Sequence, residues 1–493
     1  MRWSVNRMVL AGCALLLAAG PIRAVGSSPA LPVVESRDFA GTAARMAVGS
    51  RLRLENVQVA NTGEIRALVL ERFEVFTKDA KITLHGDGGD KVVPAPANAY
   101  FRGVVDGRPD SRAFVARLAD GRAQGVIADG EDMYLIGGDA VAAKALGGPL
   151  EMHRVDPVLL KAARGEAFNC GNAQHPGLAG KGAALDLGDI TAAPAPQEKA
   201  TAAGAPAHSA RVAIESDFEF YSLFNNTTNA MNYVGNLIGY ASTIYSAELN
   251  TSLVVSSISL WTTSSDPWTQ TSTFCGLLEF GKYWNQNKTG VSRTIAHFLS
   301  GKSLGGGVAW LNVLCSGPFF SGGASSCPGL GTESTSWGGG YGFTANIGGN
   351  FDINNPTVVW DIYSTSHEMG HNFGSPHSHC YNGLEGSSSP IDQCYGGEQN
   401  CYSGATSLPG PGRSGTIMSY CHLIGGYGAI ALTFGTNFSF GVQPGREAAH
   451  MNTYISSVAS SNPACIAPVS VSGLFNDGFE GGAVPGLWSG KTP

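Results

Sequence analysis

The stretch from His367 to His377, reading His-Glu-Met-Gly-His-Asn-Phe-Gly-Ser-Pro-His, constrains what this chain can fold into more than any other feature. Residues four apart lie on one face of a helix, so a helical backbone lets His367 and His371 point at a single ion. The residues before them fit that requirement. Val358, Val359 and Ile362 approach the motif without Pro or Gly, and Pro356 sits near the expected start, which predicts a helix buried on one side. Glu368, next to the first histidine, can reach a water on the ion and serve as general base. Gly374 can take the left-handed conformation that ends a helix, turning the chain so that His377 returns as a third ligand. The fourth tetrahedral position then stays open, as catalytic zinc sites require. A chance alignment of core and surface histidines is the competing reading, and the number of fixed positions argues against it. A metal site without catalysis has no need of Glu368.

The extended motif resembles that of the metzincin clan of zinc endopeptidases. Downstream, Gly415-Thr416-Ile417-Met418-Ser419-Tyr420 resembles the clan's methionine turn, with Met418 as a soft apolar floor beneath the histidines. Within the clan the chain is most similar to the reprolysin (adamalysin) group of secreted bacterial metalloproteases. Arg211–Asp217 reads as an opening strand, about Asn229 to Leu249 as a long helix and Ser252–Trp261 as a second strand. Gly307–Cys315 resembles the group's sheet-edge strand, along which an extended substrate would add at Val308–Leu314. The resemblance spans roughly 210–465. It implies an α+β fold, a metzincin-type catalytic domain with a twisted, mostly parallel sheet and zinc on the active-site helix, preceded by a β-rich propeptide domain.

Two residues depart from the group's pattern. Ser378 follows the third histidine where reprolysins usually place Asp, and Tyr420 stands two residues after Met418, as in astacins and serralysins. A phenol there could donate to a developing oxyanion, which would make Tyr420 catalytic. It could equally be a buried tyrosine bonded to a carbonyl. His379 and His422 fall outside the motif spacing and read as polar surface or loop histidines.

The chain opens with Arg2 and Arg7, an apolar run from Met8 to Ala19 and small residues to Ala24, which predicts a signal peptide over 1–24 and a secreted, extracellular protein. The apolar run is short for a membrane span, and no later one is long enough. A net charge of −7 with no Lys/Arg cluster excludes an evident nucleic-acid partner, and no membrane partner is expected. The expected partners are protein or peptide substrates. Oligomeric state is open, with a monomer as the simplest expectation.

Ten cysteines support export. Cys13 falls in the signal peptide and Cys170 before the catalytic segment. The rest (Cys275, Cys315, Cys327, Cys380, Cys394, Cys401, Cys421 and Cys465) are even in number and predict disulfides in an oxidising compartment. Sequence alone leaves about 105 pairings of eight cysteines open. The resemblance to reprolysins implies Cys315 with Cys465. Cys380, Cys394, Cys401 and Cys421 are expected to staple the loop between His377 and Met418. A second zinc site is the rival reading, and it lacks any CxxC pair.

Residues 25–165 alternate short apolar runs with turns, among them Asp106-Gly107 and Asp120-Gly121, and 25–177 is expected to be a β-rich propeptide. The stretch Tyr100–Ile136 is similar to reprolysin propeptides. An Ala/Gly/Pro-rich linker at 178–209 would carry the activating cut, followed by the zinc metalloprotease domain at 210–466 and a short tail at 467–493. Cys170-Gly171 resembles the cysteine switch of related propeptides, in which a thiolate fills the open zinc position. A disulfide to a catalytic-domain cysteine is the alternative. The expected function is a secreted zinc-dependent endopeptidase, a latent proenzyme using one catalytic Zn2+ with Glu368 as base. A peptidase acting on cell-wall peptides and a non-catalytic zinc-dependent binding protein are the alternatives. The resemblance also allows Ca2+, for which no ligands can be assigned by motif.

Overall fold

A computed structural model describes residues 31–137, 149–162, 170–173, 206–321, 326–331 and 337–469. The signal peptide expected at 1–24 lies outside the described residues, as do 178–205 of the linker and 470–493 of the tail. Among the described residues no helix is long and apolar enough to cross a membrane.

The N-terminal part is a β-structure, as its alternating runs predict. Strands β1 (Val33–Glu35), β2 (Arg51–Val59), β3 (Ile65–Phe73), β6 (Ala99–Val105), β7 (Arg108–Arg117), β8 (Ala123–Asp129), β9 (Asp132–Ile136) and β10 (Glu151–Arg154) form one sheet that closes on itself through β2 and β3. Leu52, Leu54, Leu68, Leu70, Phe101 and Ile127 alternate inward and fill it.

Strands β4 (Phe76–His85) and β5 (Lys91–Val93) leave this barrel as a hairpin and join the second sheet. That sheet runs β14-β15-β13-β11-β12-β4-β5, where β11 is His208–Ser216, β12 Thr251–Trp261, β13 Ile295–Leu299, β14 Gly307–Ala309 and β15 Tyr341–Thr344. Its central pairings are parallel, and only the outer β14–β15 and β4–β5 pairs, with β16 (Ile466–Pro468) on β11, are antiparallel. Val212, Ala213 and Ile214 are buried in succession, as a strand covered on both faces requires. The mostly parallel sheet agrees with the expectation. Its continuation into residues 76–93 crosses the boundary expected at 178–209, and one apolar core joins Val75, Ile82, Tyr100 and Phe114 to Val212, Val234, Leu237 and Leu260.

Four long helices pack on this frame: α1 (Thr227–Leu249), α2 (Thr273–Asn287), α3 (Thr357–Asn372) and α4 (Arg446–Ser461). Asn226 caps α1 by accepting from Asn229 N, and Asn250 ends it in the left-handed conformation at φ 48°. The helix lies between β12 and the barrel strands β6 and β7. Gly235 and Gly239 make that possible, since a Cβ at Gly239 would stand 2.4 Å from the Phe114 ring and one at Gly235 2.5 Å from the Tyr100 hydroxyl. The disulfides are Cys275–Cys327, Cys315–Cys465, Cys380–Cys401 and Cys394–Cys421. Cys315–Cys465 is the pair the resemblance implied, and the four loop cysteines pair with one another rather than forming a metal site.

Candidate active site

Helix α3 carries the first half of the motif. It starts after Pro356, runs through His367 and His371 and stops at Asn372, with Gly374 beyond it at φ +105°. The last carbonyls of a helix need outside donors. Gly374 N bonds His371 O and Ser375 N bonds Gly370 O, so the chain reverses tightly and returns His377 toward the helix. The ligand atoms of His367, His371, His377 and Cys170 all lie within 4.8 Å of one another, and all four residues are buried.

Each histidine is oriented through its outer nitrogen. His367 Nδ1 donates to Ile417 O at 2.7 Å, His371 Nδ1 to Ser375 O at 2.7 Å, and His377 Nδ1 bonds Glu398 Oε2 at 2.6 Å. Such partners fix the tautomer and leave Nε2 as the ligand atom. Burial holds His367 well below the usual imidazole range and takes His371 down to about 3, so both rings are neutral, the form a metal takes. His377 Nε2 is buried with no hydrogen-bond partner among the described residues, as expected of a nitrogen shaped for an ion. The 3.4 Å from Cys170 Sγ to His371 Nε2 is close to the edge, about 3.6 Å, of a tetrahedron built on ordinary Zn–S and Zn–N lengths. The donor set therefore fits zinc.

Glu368 is buried beside the cluster, its carboxyl raised well above the usual range by burial. Its Oε1 has no hydrogen-bond partner among the described residues, and Oε2 stands 3.5 Å from Cys170 Sγ. Gly307 of β14 makes room for it, since a Cβ there would stand 2.5 Å from Glu368 Cγ and Oε1. Met418 is buried under α3, and its sulfur would lie 2.5 Å from a Cβ at Gly370, between the two helical histidines. Cys170 is a free cysteine among the described residues, so the disulfide alternative does not hold. Tyr420 is buried and its hydroxyl donates to Cys170 O at 3.1 Å. The carbonyl reading thus describes this state, and the carbonyl belongs to the segment that enters the site.

That segment also touches the sheet edge. Ala309 N donates to Asn172 Oδ1 at 3.1 Å, and Gly171 lies against Val308. The edge strand is shorter than expected. It stops at Ala309 instead of running to Leu314, because Asn312 N and Val313 N turn to bond His371 O and Asn372 O at the end of α3. Helix capping outweighs the strand pattern of this apolar run.

His379 and His422 are corrected. Both are buried, not on the surface. His379 Nε2 shares Glu398 Oε2 with His377, at 2.8 Å, and His422 Nδ1 meets the Tyr363 hydroxyl at 3.0 Å. Sequence reasoning missed Glu398 and Glu447, each a single carboxylate at no motif spacing. The only local hint for Glu398 is its place inside the loop closed by Cys380 and Cys401.

A family model for metallo-peptidase family M12, of reprolysin type, matches residues 208–422. No curated protein matches the chain. Among solved structures, the chain is similar to the crystal structure of metalloproteinase-II from Bacteroides fragilis, at 9% identity and a TM-score of 0.33, over 73% of this chain and 92% of that one. The similarity to metallo-peptidase family M12 of reprolysin type thus spans residues 208–422, which hold the histidine motif, Glu368 and the methionine turn.

Proposed function

We propose that this chain is a secreted zinc endopeptidase, made as a latent proenzyme that residues around Cys170 hold inactive. One observation carries the reading: three oriented imidazoles converge with Glu368 on the point that the Cys170 sulfur occupies. His367, His371 and His377 would hold the metal. When bound, zinc supplies a Lewis acid that lowers the pKa of its water toward about 7. Glu368 takes the proton from the attacking water and passes it to the leaving amine, a role that suits a carboxylate with a raised pKa in a dry pocket. Tyr420, once released from Cys170 O, has its hydroxyl at the site to donate to the developing oxyanion. Met418 supports the helical histidines from below.

An extended substrate would lie along β14 and bond its backbone, as a strand adds to a sheet edge. The Asn172 bond to Ala309 N supports this, because an occupant from outside the catalytic sheet already uses that donor. Four disulfides favour an oxidising, extracellular setting. The domain limits proposed are signal peptide 1–24, propeptide 25–177, cleaved linker 178–209, catalytic domain 210–466 and tail 467–493. The test is digestion of a general protein substrate by processed protein, with Glu368→Gln and His371→Ala beside it. Loss of activity with metal kept in the first, and loss of metal in the second, are expected. Full digestion by Glu368→Gln would overturn the assignment of the base.

A further inference from the structure

His377 is the ligand with least support from regular structure. His367 and His371 ride on α3, whereas His377 stands on the loop past Gly374. The next residue is Ser378, where the similar group usually has a carboxylate. Ser378 Oγ donates to Oε1 of Glu447, and Thr416 Oγ1 donates to the same oxygen at 2.7 Å. Ser378 N also donates to Met418 O at 3.0 Å. Asp392 is the other carboxyl facing Ser378. Ser378, Thr416 and Glu447 are all buried. Glu447 sits in the first turn of α4 and beyond residue 422, where the family match ends.

We propose that Glu447 is a positioning residue for the metal centre, locking the third-ligand loop to the methionine turn through Ser378 and Thr416, in place of a carboxylate at position 378. Resting on the metallopeptidase reading, it follows from what flanks the two hydroxyls. Ser378 is one residue from His377. Thr416 is one residue from Ile417, whose carbonyl orients His367. One carboxylate oxygen therefore fixes two of the three ligands relative to each other. Removing a direct partner of a ligand typically weakens metal binding 10- to 100-fold, and Glu447 acts one step further out through Ser378 and Thr416, so the low end, about 10-fold, is expected.

The experiment follows metal loss to excess chelator, and the visible spectrum of the cobalt-loaded form, in protein made as the full chain and then processed. Glu447→Ala is expected to release metal about 10-fold faster, with a changed cobalt spectrum. Glu447→Gln keeps an acceptor oxygen and should stay near wild type. The double variant Ser378→Asp/Glu447→Ala returns a carboxylate beside His377 and should regain slow release. Wild-type release and spectrum in Glu447→Ala, or no recovery in the double variant, overturns the proposal. Should Glu447→Ala not fold, the double variant decides: folded and metal-retaining supports it, unfolded overturns it. Wild-type protein that binds no metal fails the metallopeptidase reading itself, and this proposal with it.

Discussion

Replacing Gly307 by Ala tests the geometry of the base without touching a polar group. The added Cβ would stand 2.5 Å from Cγ and Oε1 of Glu368 and 2.7 Å from Cδ. Ordinary carbon contacts begin near 3.5 Å, so something must give by about 1 Å. Glu368 sits on a buried helix, and β14 is bonded to β15 at Gly307–Thr344 and Ala309–Gly342. A misplacement of about 1 Å costs on the order of 100-fold in rate, or about 2.7 kcal/mol of barrier. If the carboxylate moves, the loss falls in kcat; if the strand moves, it falls in KM. The assay is steady-state hydrolysis of a peptide by processed protein, with metal content and circular dichroism as controls. Gly290→Ala, with no neighbour within 4 Å of its Cβ, serves as the silent comparison. A Gly307→Ala protein that is folded, metal-loaded and unchanged in both kcat and KM would refute the placement of Glu368.

Cys170→Ala should give an uncut proform with measurable activity, yet below that of processed protein, because the Tyr420 and Ala309 bonds to the segment remain; assay of the proform before and after processing reads this. Glu398→Gln should weaken metal retention on the order of 10-fold or more, since His377 and His379 both bond its Oε2, and chelator competition measures it. Burial raises the Glu215 carboxyl from 4.5 to about 7 despite its bonds from Trp261 and Trp284. The folded state thus keeps this proton longer than the unfolded chain. Its contribution to stability is full below about 4.5, falls as pH rises toward about 7, and is level above, with an upper size of roughly 3 kcal/mol. Melting curves across that window should show the fall in wild type and a flatter profile in Glu215→Gln; equal slopes would remove Glu215 as its cause.

Local pattern made much of the site legible. The four-residue spacing of His367 and His371, the glycine at 374 and the apolar positions before them all encode one helix, and α3 runs where they put it, but it is buried from Val358 to Asn372 on every side and not on one. The strand expected at Arg211–Asp217 and the helix expected at about Asn229–Leu249, both read alongside the resemblance, overlap β11 (His208–Ser216) and α1 (Thr227–Leu249). What the pattern could not carry was choice of neighbour. Residues 76–85 fall in the segment read as β-rich, but alternation says which face is buried, not which strand lies alongside, so the pairing of β4 with β12 was invisible. The overreach of the edge strand has a related cause, because Trp310–Leu314 is apolar for packing while its backbone caps α3. Glu398 and Glu447 reach the histidine loop from separate parts of the chain, and single carboxylates carry no periodicity. His379 and His422 looked exposed for the same reason: their partners are distant in sequence.

The central claim is that His367, His371 and His377 hold one ion on which hydrolysis depends. Metal content of processed protein, taken with its activity before chelation, after chelation and after zinc is returned, tests it most directly. The account predicts one zinc per chain, activity that disappears with the ion and comes back with it, and no bound zinc in His371→Ala. Undiminished digestion by metal-free protein, or stoichiometric zinc that survives loss of His371, would contradict it.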